Sequence, residues 1–240
     1  MTLSIKNLFK SYGSRPVVNN ISFDVEQGEI VGLLGPNGAG KTTTFYSVVG
    51  IIKPDDGKVF LDNVLVSGQP IHKRARAGIG YLPQETSVFR KLSVEDNLRL
   101  ILEFQPISHH DREKRIDSLL EEFGIGKLRK TPAIQLSGGE RRRVEIARAI
   151  ASNPKYLLLD EPFTGIDPIA IQDIQHLIGM LKQRGLGILL TDHNPRATLS
   201  IVDRANIIQD GKLIFAGTNR EVAANEMVRK NYLGEDFTLS

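Results

Sequence analysis

A glycine-rich segment near the N-terminus has the residue types and spacing of a phosphate-binding loop (P-loop). It consists of Gly35, Pro36, Asn37, Gly38, Ala39, Gly40, Lys41 and Thr42. Glycines let the backbone curl so that successive N–H groups point inward, and a following helix adds partial positive charge toward an anion. We expect Lys41 to reach the β- and γ-phosphates of a nucleotide, Thr42 to ligate Mg²⁺, and Thr43 to bond another phosphate oxygen. The alternative is a glycine-rich turn with a surface lysine.

An acidic pair, Asp160 and Glu161, follows the apolar run Tyr156–Leu159. A carboxylate at the end of a buried strand suits Mg²⁺ held by phosphates, so Asp160 is predicted to be a metal ligand. Glu161 is placed to polarise the water that attacks the γ-phosphorus. The alternative is a helix-capping or solvated acid. The two motifs together predict a Mg²⁺-dependent ATPase.

A second anion-binding surface is predicted where Leu136 precedes Ser137, Gly138, Gly139 and Glu140. A helix N-terminus with two glycines and a serine hydroxyl can receive phosphate oxygens. The segment could also be only a loop and helix cap. One nucleotide cannot easily use both this surface and the P-loop within one chain.

The pattern of apolar residues predicts the elements that position these motifs. Alternation around Leu3, Ile21 and Val59 indicates half-buried antiparallel strands. Continuous apolar runs indicate buried parallel strands over Ile30–Leu34, Ile79–Leu82, Tyr156–Leu159 and Gly187–Thr191. Amphipathic character over Ser93–Ser152 predicts a helical insert, and Thr218 begins a tail predicted to be helical as far as Lys230.

The composition limits the classes of protein to which the chain can belong. With 240 residues, 40% of them apolar, the chain can bury a sizeable core. It has no cysteine, so disulfides and thiolate metal sites are excluded. No apolar run reaches the roughly 18 residues of a membrane span and no secretory segment follows Met1, so a cytosolic chain is expected. A net charge of +3 predicts no nucleic-acid partner, and the cluster Arg141–Arg143 is interpreted as a solvated helix face.

These motifs together resemble those of ABC ATPases. In that family, residues matching Ser137, Gly138 and Gly139 of one subunit lie against the γ-phosphate on the other subunit's P-loop, which implies a head-to-tail homodimer with composite ATP sites. The resemblance implies an α/β fold with a RecA-like P-loop NTPase core, an antiparallel β subdomain and a helical signature-motif subdomain. The expected division of this single domain is core and β subdomain at 1–84 and 153–217, helical subdomain at 85–152 and helical tail at 218–240.

Further matches to that family cover nearly the whole chain. Tyr12 lies where an aromatic ring stacks on adenine, although a packing role is the alternative. Gln84 lies where an amide contacts both Mg²⁺ and the attacking water, and His193 lies where an imidazole donates to the γ-phosphate. The remaining histidines are expected at the surface: His72, His109, His110 and His176.

Longer segments look like those of one group within the family, the cytoplasmic ATPases of lipopolysaccharide-export ABC transporters of Gram-negative bacteria. The segments are Phe89–Leu98, Leu136–Arg148, Thr191–Asn194 and Tyr232–Phe237. This likeness implies two inner-membrane partner subunits and a peripheral place on the cytoplasmic face of the inner membrane. The alternatives are the ATPase of a branched-chain amino-acid importer and an ABC ATPase with no transport role.

Phe89 and Arg90 are the predicted contact with the membrane subunits. An aromatic ring and a guanidinium side by side in a loop are good anchors, because one buries area and the other forks to carbonyls or carboxylates. The alternative is a phenylalanine packed into the core of the helical insert beside a solvated arginine.

Overall fold

The computed structural model describes residues 1–239, which form two β-sheets with surrounding helices. The strands are β1 Thr2–Tyr12, β2 Arg15–Glu26, β3 Ile30–Leu34, β4 Asp56–Leu61, β5 Val64–Leu65, β6 Ile79–Leu82, β7 Tyr156–Asp160, β8 Gly187–Thr191, β9 Arg204–Gln209 and β10 Lys212–Thr218. The helices are α1 Lys41–Val49, α2 Ile71–Ala77, α3 Val94–Leu102, α4 His109–Glu122, α5 Gly138–Ala151, α6 Pro168–Gln183, α7 Pro195–Leu199, α8 Asn219–Ala224 and α9 Glu226–Val228. None of the helices in residues 1–239 has the length and apolar character needed to cross a membrane.

The smaller sheet is antiparallel and has the strand order β2-β1-β4-β5. Leu3 and Ile5 of β1, Ile21 and Val25 of β2, and Val59 of β4 are buried in one apolar cluster. A strand with one buried face shows this alternation of apolar and polar residues. The antiparallel strands predicted from the alternation are confirmed.

The larger sheet has the strand order β10-β9-β3-β8-β7-β6 and is parallel except for β10. Every residue of β3, β7 and β8 is buried, as expected of strands covered on both faces. Asp210 and Gly211 form the turn between β9 and β10, both with positive φ (50° and 75°). Because adjacent parallel strands end at the same edge, the residues that follow β3, β6, β7 and β8 are brought together.

The helices α3, α4 and α5 lie between β6 and β7 in the chain and form a helical lobe. Ser93 caps α3 by accepting the Asp96 N–H at 3.1 Å. Leu98, Leu120 and Ile146 contribute one buried side chain from each helix to a shared core. The predicted helical insert is present, and the subdomain boundaries stay a prediction.

The tail after β10 is helical but is divided into separate pieces. Helix α8 ends at Asn225, whose extended backbone (φ −71°, ψ 118°) starts the separate helix α9. The Asn225 side chain accepts the Val228 N–H at 3.0 Å, so it acts as a new cap rather than as a helix-interior residue. The chain then makes one π-helical turn over Arg229–Leu233. The tail is thus helical over the predicted range as far as Lys230, apart from the break at Asn225.

Candidate nucleotide-binding site

The glycine-rich loop connects β3 to α1 at the carboxyl edge of the parallel sheet. Gly38 and Gly40 have φ values of 78° and 99°, a region that side chains with a Cβ rarely adopt. A Cβ at Gly40 would collide with the Val17 carbonyl, and one at Gly35 would collide with the Ile208 carbonyl. The backbone of the loop therefore packs closely against β2 at Gly40 and against β9 at Gly35.

Lys41 lies at the first position of α1 with its side chain buried along the loop. Its Nζ donates to the carbonyl oxygens of Gly35 at 2.7 Å and Pro36 at 3.0 Å. Burial lowers the pKa of Lys41, and the Glu161 carboxylate opposes that shift. An ammonium group is thus held inside the curl of the loop, where it favours an anionic ligand.

A cavity of about 170 Å³ opens beside the loop. Its lining consists of Val17, Asn37, Gly38, Ala39, Gly40, Lys41, Thr42, Thr43 and His193. Asn37, Gly38 and Thr42 are exposed, and the lining residues include loop residues with backbone N–H donors and two threonines with hydroxyl groups. The donor set suits an oxyanion and a hard cation, which is the chemistry of a nucleotide phosphate with Mg²⁺.

Asp160 is the last residue of β7 and is buried. Its Oδ2 has no hydrogen-bond partner among residues 1–239. Burial raises the pKa of Asp160, the nearby Tyr46 hydroxyl lowers it, and the neighbouring Glu161 charge raises it again. A buried carboxylate oxygen without a partner fits a divalent cation. Among the described residues no group of three or more histidine, aspartate or glutamate side chains could hold a metal alone, so phosphate and hydroxyl oxygens would have to complete such a site.

Glu161, the residue after β7, has a left-handed backbone with φ of 46°, which is unusual for glutamate. Its Oε2 accepts from Gln84 Nε2 at 2.6 Å and from Thr164 Oγ1 at 3.0 Å. Its Oε1 lies 2.5 Å from His193 Nε2. The residues predicted to be catalytic, Glu161, Gln84 and His193, therefore lie in direct contact although they follow three different strands.

The interpretation of the arginine cluster as a solvated face is wrong for its middle residue, Arg142, which is 5% exposed. Its guanidinium donates to the carbonyl oxygens of Pro83 at 3.1 Å, Asp160 at 3.3 Å, Glu161 at 3.1 Å and Pro162 at 3.2 Å. Burial lowers the pKa of Arg142, and a nearby glutamate carboxylate opposes this. One side chain of α5 thus holds the backbone on both sides of Glu161 and the end of β6.

The other two arginines of the cluster are half-buried and also bonded. Arg141 donates to the Leu136 carbonyl at 3.0 Å, and Arg143 pairs with Asp173 of α6 at 2.5 Å. The cluster therefore fastens the start of α5 to its surroundings. The spacing of charged residues in the sequence does not predict these hydrogen bonds and ion pairs, because the burial of each arginine depends on elements distant in the chain.

Ser137 is the N-cap of α5, and Gly138 and Gly139 are its first two residues. Ser137 Oγ accepts the Glu140 N–H at 3.3 Å, and the Glu140 carboxylate accepts the Ser137 N–H at 2.9 Å. A Cβ at Gly139 would lie 3.0 Å from Ala170, the nearest atom to it. Ser137 and Gly138 are exposed, so the predicted second anion-binding surface faces outward.

Tyr12 lies at the end of β1 with 53% of its surface exposed. The Lys10 ammonium lies 5.5 Å from the centre of its ring. Exposure argues against the alternative of a core packing residue. The histidines expected at the surface are exposed: His72, His109, His110 and His176.

A model of the family described as ABC transporter matches residues 18–164. The chain belongs to the ABC transporter family. This match covers the P-loop, the Ser137 segment and the acidic pair, so the ABC assignment predicted from these motifs is confirmed. Membership makes the chain an ATP-binding, ATP-hydrolysing protein.

Two curated relatives within the ABC family match along nearly their whole length. The lipopolysaccharide export system ATP-binding protein LptB of Escherichia coli K12 is 56% identical over 239 residues, which cover 99% of this chain and 99% of that protein. The protein of the same name from Haemophilus influenzae is 54% identical over 238 residues, with 99% of both chains covered.

Solved ABC cassettes share the fold. One is the ADP conformation of an ATP-binding cassette of an ABC transporter, with a TM-score of 0.87 and 28% identity over 98% of this chain and 100% of that chain. Another is a dimeric post-hydrolysis state of an ATP-binding cassette bound to ADP and Pi, with a TM-score of 0.79 and 26% identity over 92% and 99% of the two chains. The predicted ABC ATPase fold is confirmed.

Proposed function

We propose that the chain is the ATP-hydrolysing subunit that powers extraction of lipopolysaccharide from the inner membrane for export. The observation that carries the ATPase part is the contact of Glu161 with Gln84 and His193 beside the P-loop. The transport part is supported by the two lipopolysaccharide-export relatives, which are 54% and 56% identical along nearly the whole chain.

ATP is proposed to bind with its adenine on Tyr12 and its phosphates in the P-loop. The loop N–H groups and Lys41 hold the β- and γ-phosphates, and Thr43 donates to a further oxygen. Thr42, Gln84 and Asp160 are the residues that would hold Mg²⁺, for which the partnerless Oδ2 of Asp160 is a suitable ligand. When bound, Mg²⁺ neutralises charge on the phosphate oxygens.

Hydrolysis is proposed to begin with water aligned between Glu161 and the γ-phosphorus. Glu161 takes a proton as the water oxygen bonds to phosphorus, and the bond from the γ-phosphorus to the bridging oxygen of ADP breaks. Gln84 and His193 already lie against the two Glu161 oxygens. They therefore orient the carboxylate, and His193 is positioned to donate to the γ-phosphate.

A head-to-tail homodimer is proposed as the hydrolytic unit. The Ser137–Gly139 segment is exposed at Ser137 and Gly138, so the N–H groups of Gly138 and Gly139 and the Ser137 hydroxyl are available to a nucleotide on a second copy. A related cassette forms a dimer bound to ADP and Pi. Each ATP would lie between the P-loop of one copy and this segment of the other.

The chain is proposed to lie on the cytoplasmic face of the inner membrane, bound to two membrane subunits and to no nucleic acid. A tagged chain purified in mild detergent from its native host should carry two inner-membrane proteins, identified by mass spectrometry. The tagged Lys41→Ala variant is a suitable control, because a lesion in the P-loop leaves the docking surface unaltered. Recovery of amino-acid permease subunits in place of lipopolysaccharide-export subunits would contradict the proposed transport role.

Phe89 and Arg90 are proposed to anchor a cytoplasmic helix of those membrane subunits. Phe89 is 47% exposed, and the Arg148 guanidinium lies 5.0 Å from the centre of its ring. The Asn97 side chain accepts the Phe89 N–H at 2.8 Å and donates to its carbonyl at 3.1 Å. The loop backbone is thus fixed by the helical lobe while the aromatic ring is presented to solvent, which favours a docking surface over a core residue.

Phe89→Ala and Arg90→Ala are expected to leave the isolated chain folded and its basal ATPase within about twofold of wild type. Both should reduce co-purification with the membrane subunits and abolish transport, because an anchor at an interface is lost. Phe104→Ala is a matched control, since Phe104 is also exposed but lies beyond α3. Lost basal ATPase together with a lower Tm would indicate a core role, and unchanged assembly and transport would remove both residues from the interface.

A further inference from the structure

Asp192, between Thr191 at the end of β8 and His193, is 2% exposed and carries two short backbone bonds. Its Oδ2 accepts the Phe163 N–H at 2.9 Å, and its Oδ1 accepts the Asn194 N–H at 2.8 Å. Burial raises the pKa of Asp192, whereas these two backbone bonds lower it. One buried carboxylate thus bonds the main chain of the segment after β7 through Oδ2 and that of its own segment, two residues on, through Oδ1.

Each bonded segment carries one catalytic side chain. Phe163 is two residues after Glu161, and Asn194 is the residue after His193. The distance between these segments determines whether His193 Nε2 reaches Glu161 Oε1, which it does at 2.5 Å. The Asp192 carboxylate is therefore a short rigid connection between the two backbones whose side chains meet.

The Glu161 backbone needs such a restraint because its φ of 46° is in a sparsely populated region for a residue with a Cβ. Conformations of this kind persist only where surrounding bonds determine them. The Glu161 N–H donates to the Thr191 carbonyl at 2.7 Å, and Arg142 bonds the carbonyl of Glu161 at 3.1 Å. Asp192 adds the hydrogen bond from the Phe163 N–H, two residues after Glu161. The strained Glu161 backbone is therefore held by hydrogen bonds both before and after its Cα.

We propose that Asp192 is a positioning residue for ATP hydrolysis, which holds the Glu161 segment and the His193 segment at the separation that aims Glu161 at the attacking water. The proposal rests on the proposed role of Glu161 as the group that accepts the proton of water. Asp192 itself touches neither nucleotide nor water in this account. Its effect is expected on turnover and not on nucleotide affinity.

Asp192→Asn tests this at constant side-chain size. Asparagine keeps one acceptor oxygen, and its NH₂ group would face the other backbone N–H, so the bond from the Phe163 N–H and the bond from the Asn194 N–H cannot both be made as they are in the wild type. We expect kcat for Mg-ATP hydrolysis by the full chain to fall about 10- to 100-fold, since a small misplacement of a catalytic group costs that much. KM for ATP should stay within about twofold, because the P-loop is unaltered.

Asp203→Asn is the matched control. Asp203 also accepts a backbone N–H, that of Ile30, at 2.9 Å, and its other oxygen pairs with Lys182. It directly precedes β9, at the edge of the sheet opposite to the one where the strands before Glu161 and His193 end. Both variants should lower Tm by a few degrees, but only Asp192→Asn should lower kcat. Equal kcat in the two variants overturns the proposal.

A second comparison separates this proposal from the role of Glu161. In a Glu161→Gln background, Asp192→Asn is expected to cause no further loss of the residual rate, because both changes disable the same group. An equal loss in both backgrounds would mean a general structural effect and overturn the positioning role. Normal turnover of Glu161→Gln alone would instead remove the proposed function on which the inference rests.

Asp192→Glu provides an independent test of the proposal if the Asp192→Asn variant does not fold. It keeps the charge and both acceptor oxygens but moves them by one methylene group. A folded Asp192→Glu with lowered kcat and unchanged KM supports the proposal. Wild-type kcat in this variant overturns it, since the separation of the two segments would then be irrelevant to turnover.

Discussion

Glu161→Gln is expected to bind ATP normally and to hydrolyse it about 10²–10⁴-fold more slowly than the wild-type chain. The substitution keeps the size of the side chain and one oxygen that can accept from Gln84 or Thr164, so the site should remain assembled. It removes the carboxylate that accepts the proton of water. Phosphate release and equilibrium ATP binding, measured on the same preparation, give the two quantities.

The same variant is expected to accumulate as an ATP-bound dimer. If ATP joins two chains and hydrolysis separates them, blocking hydrolysis should shift the chain to dimer in size-exclusion chromatography with Mg-ATP. Glu121→Gln, an identical chemical change on the exposed face of α4, should remain fully active and show no such shift. Near-normal turnover by Glu161→Gln would exclude the role given to this carboxylate.

The edge of the parallel sheet is the part of the site that the sequence predicts well. The apolar runs of β3, β7 and β8 identify strands buried on both faces, and parallel strands end at a common edge. Polar residues directly after such runs must therefore meet. Glu161 and His193 follow two such strands, and their side chains lie 2.5 Å apart, whereas the role of His193 is predicted from the family resemblance alone.

The residues that hold this edge in place are harder to predict. Arg142 and Asp192 are charged, and a charged side chain on a helix or after a strand is usually solvated. Their burial depends on which backbone groups other elements leave unpaired, and that is a tertiary property. One local signal existed: Glu145 lies three residues after Arg142 on the same helix face and pairs with it at 3.2 Å.

In the tail, the sequence predicts where helix α8 begins but not where it ends. The Thr218 and Glu221 pair predicts the start of α8, and the reciprocal capping bonds are present. The end of α8 depends on Asn225, whose side chain competes with the helix for a backbone N–H. Such competition is decided by packing of the following residues, since Val228 is fully buried against the core.

The composite site makes a prediction about mixtures of two inactive chains. Lys41→Ala disables the P-loop of a chain, and Ser137→Arg blocks its outward-facing α5 N-terminus with a bulky cation. In a head-to-tail heterodimer of these chains, both lesions fall in one ATP site and the other site is intact. Heterodimers isolated with two different tags are expected to regain up to about half of wild-type hydrolysis if the two sites act independently.

A matched control places the same two lesions differently. A chain carrying both Lys41→Ala and Ser137→Arg, paired with a wild-type chain, has one lesion in each site and should stay inactive. The two heterodimers contain identical substitutions, so overall stability cannot account for a difference between them. Activity in the first pairing and none in the second requires that each ATP contact the P-loop of one chain and Ser137 of the other. Equal inactivity in both pairings, with heterodimers present, would contradict the head-to-tail arrangement.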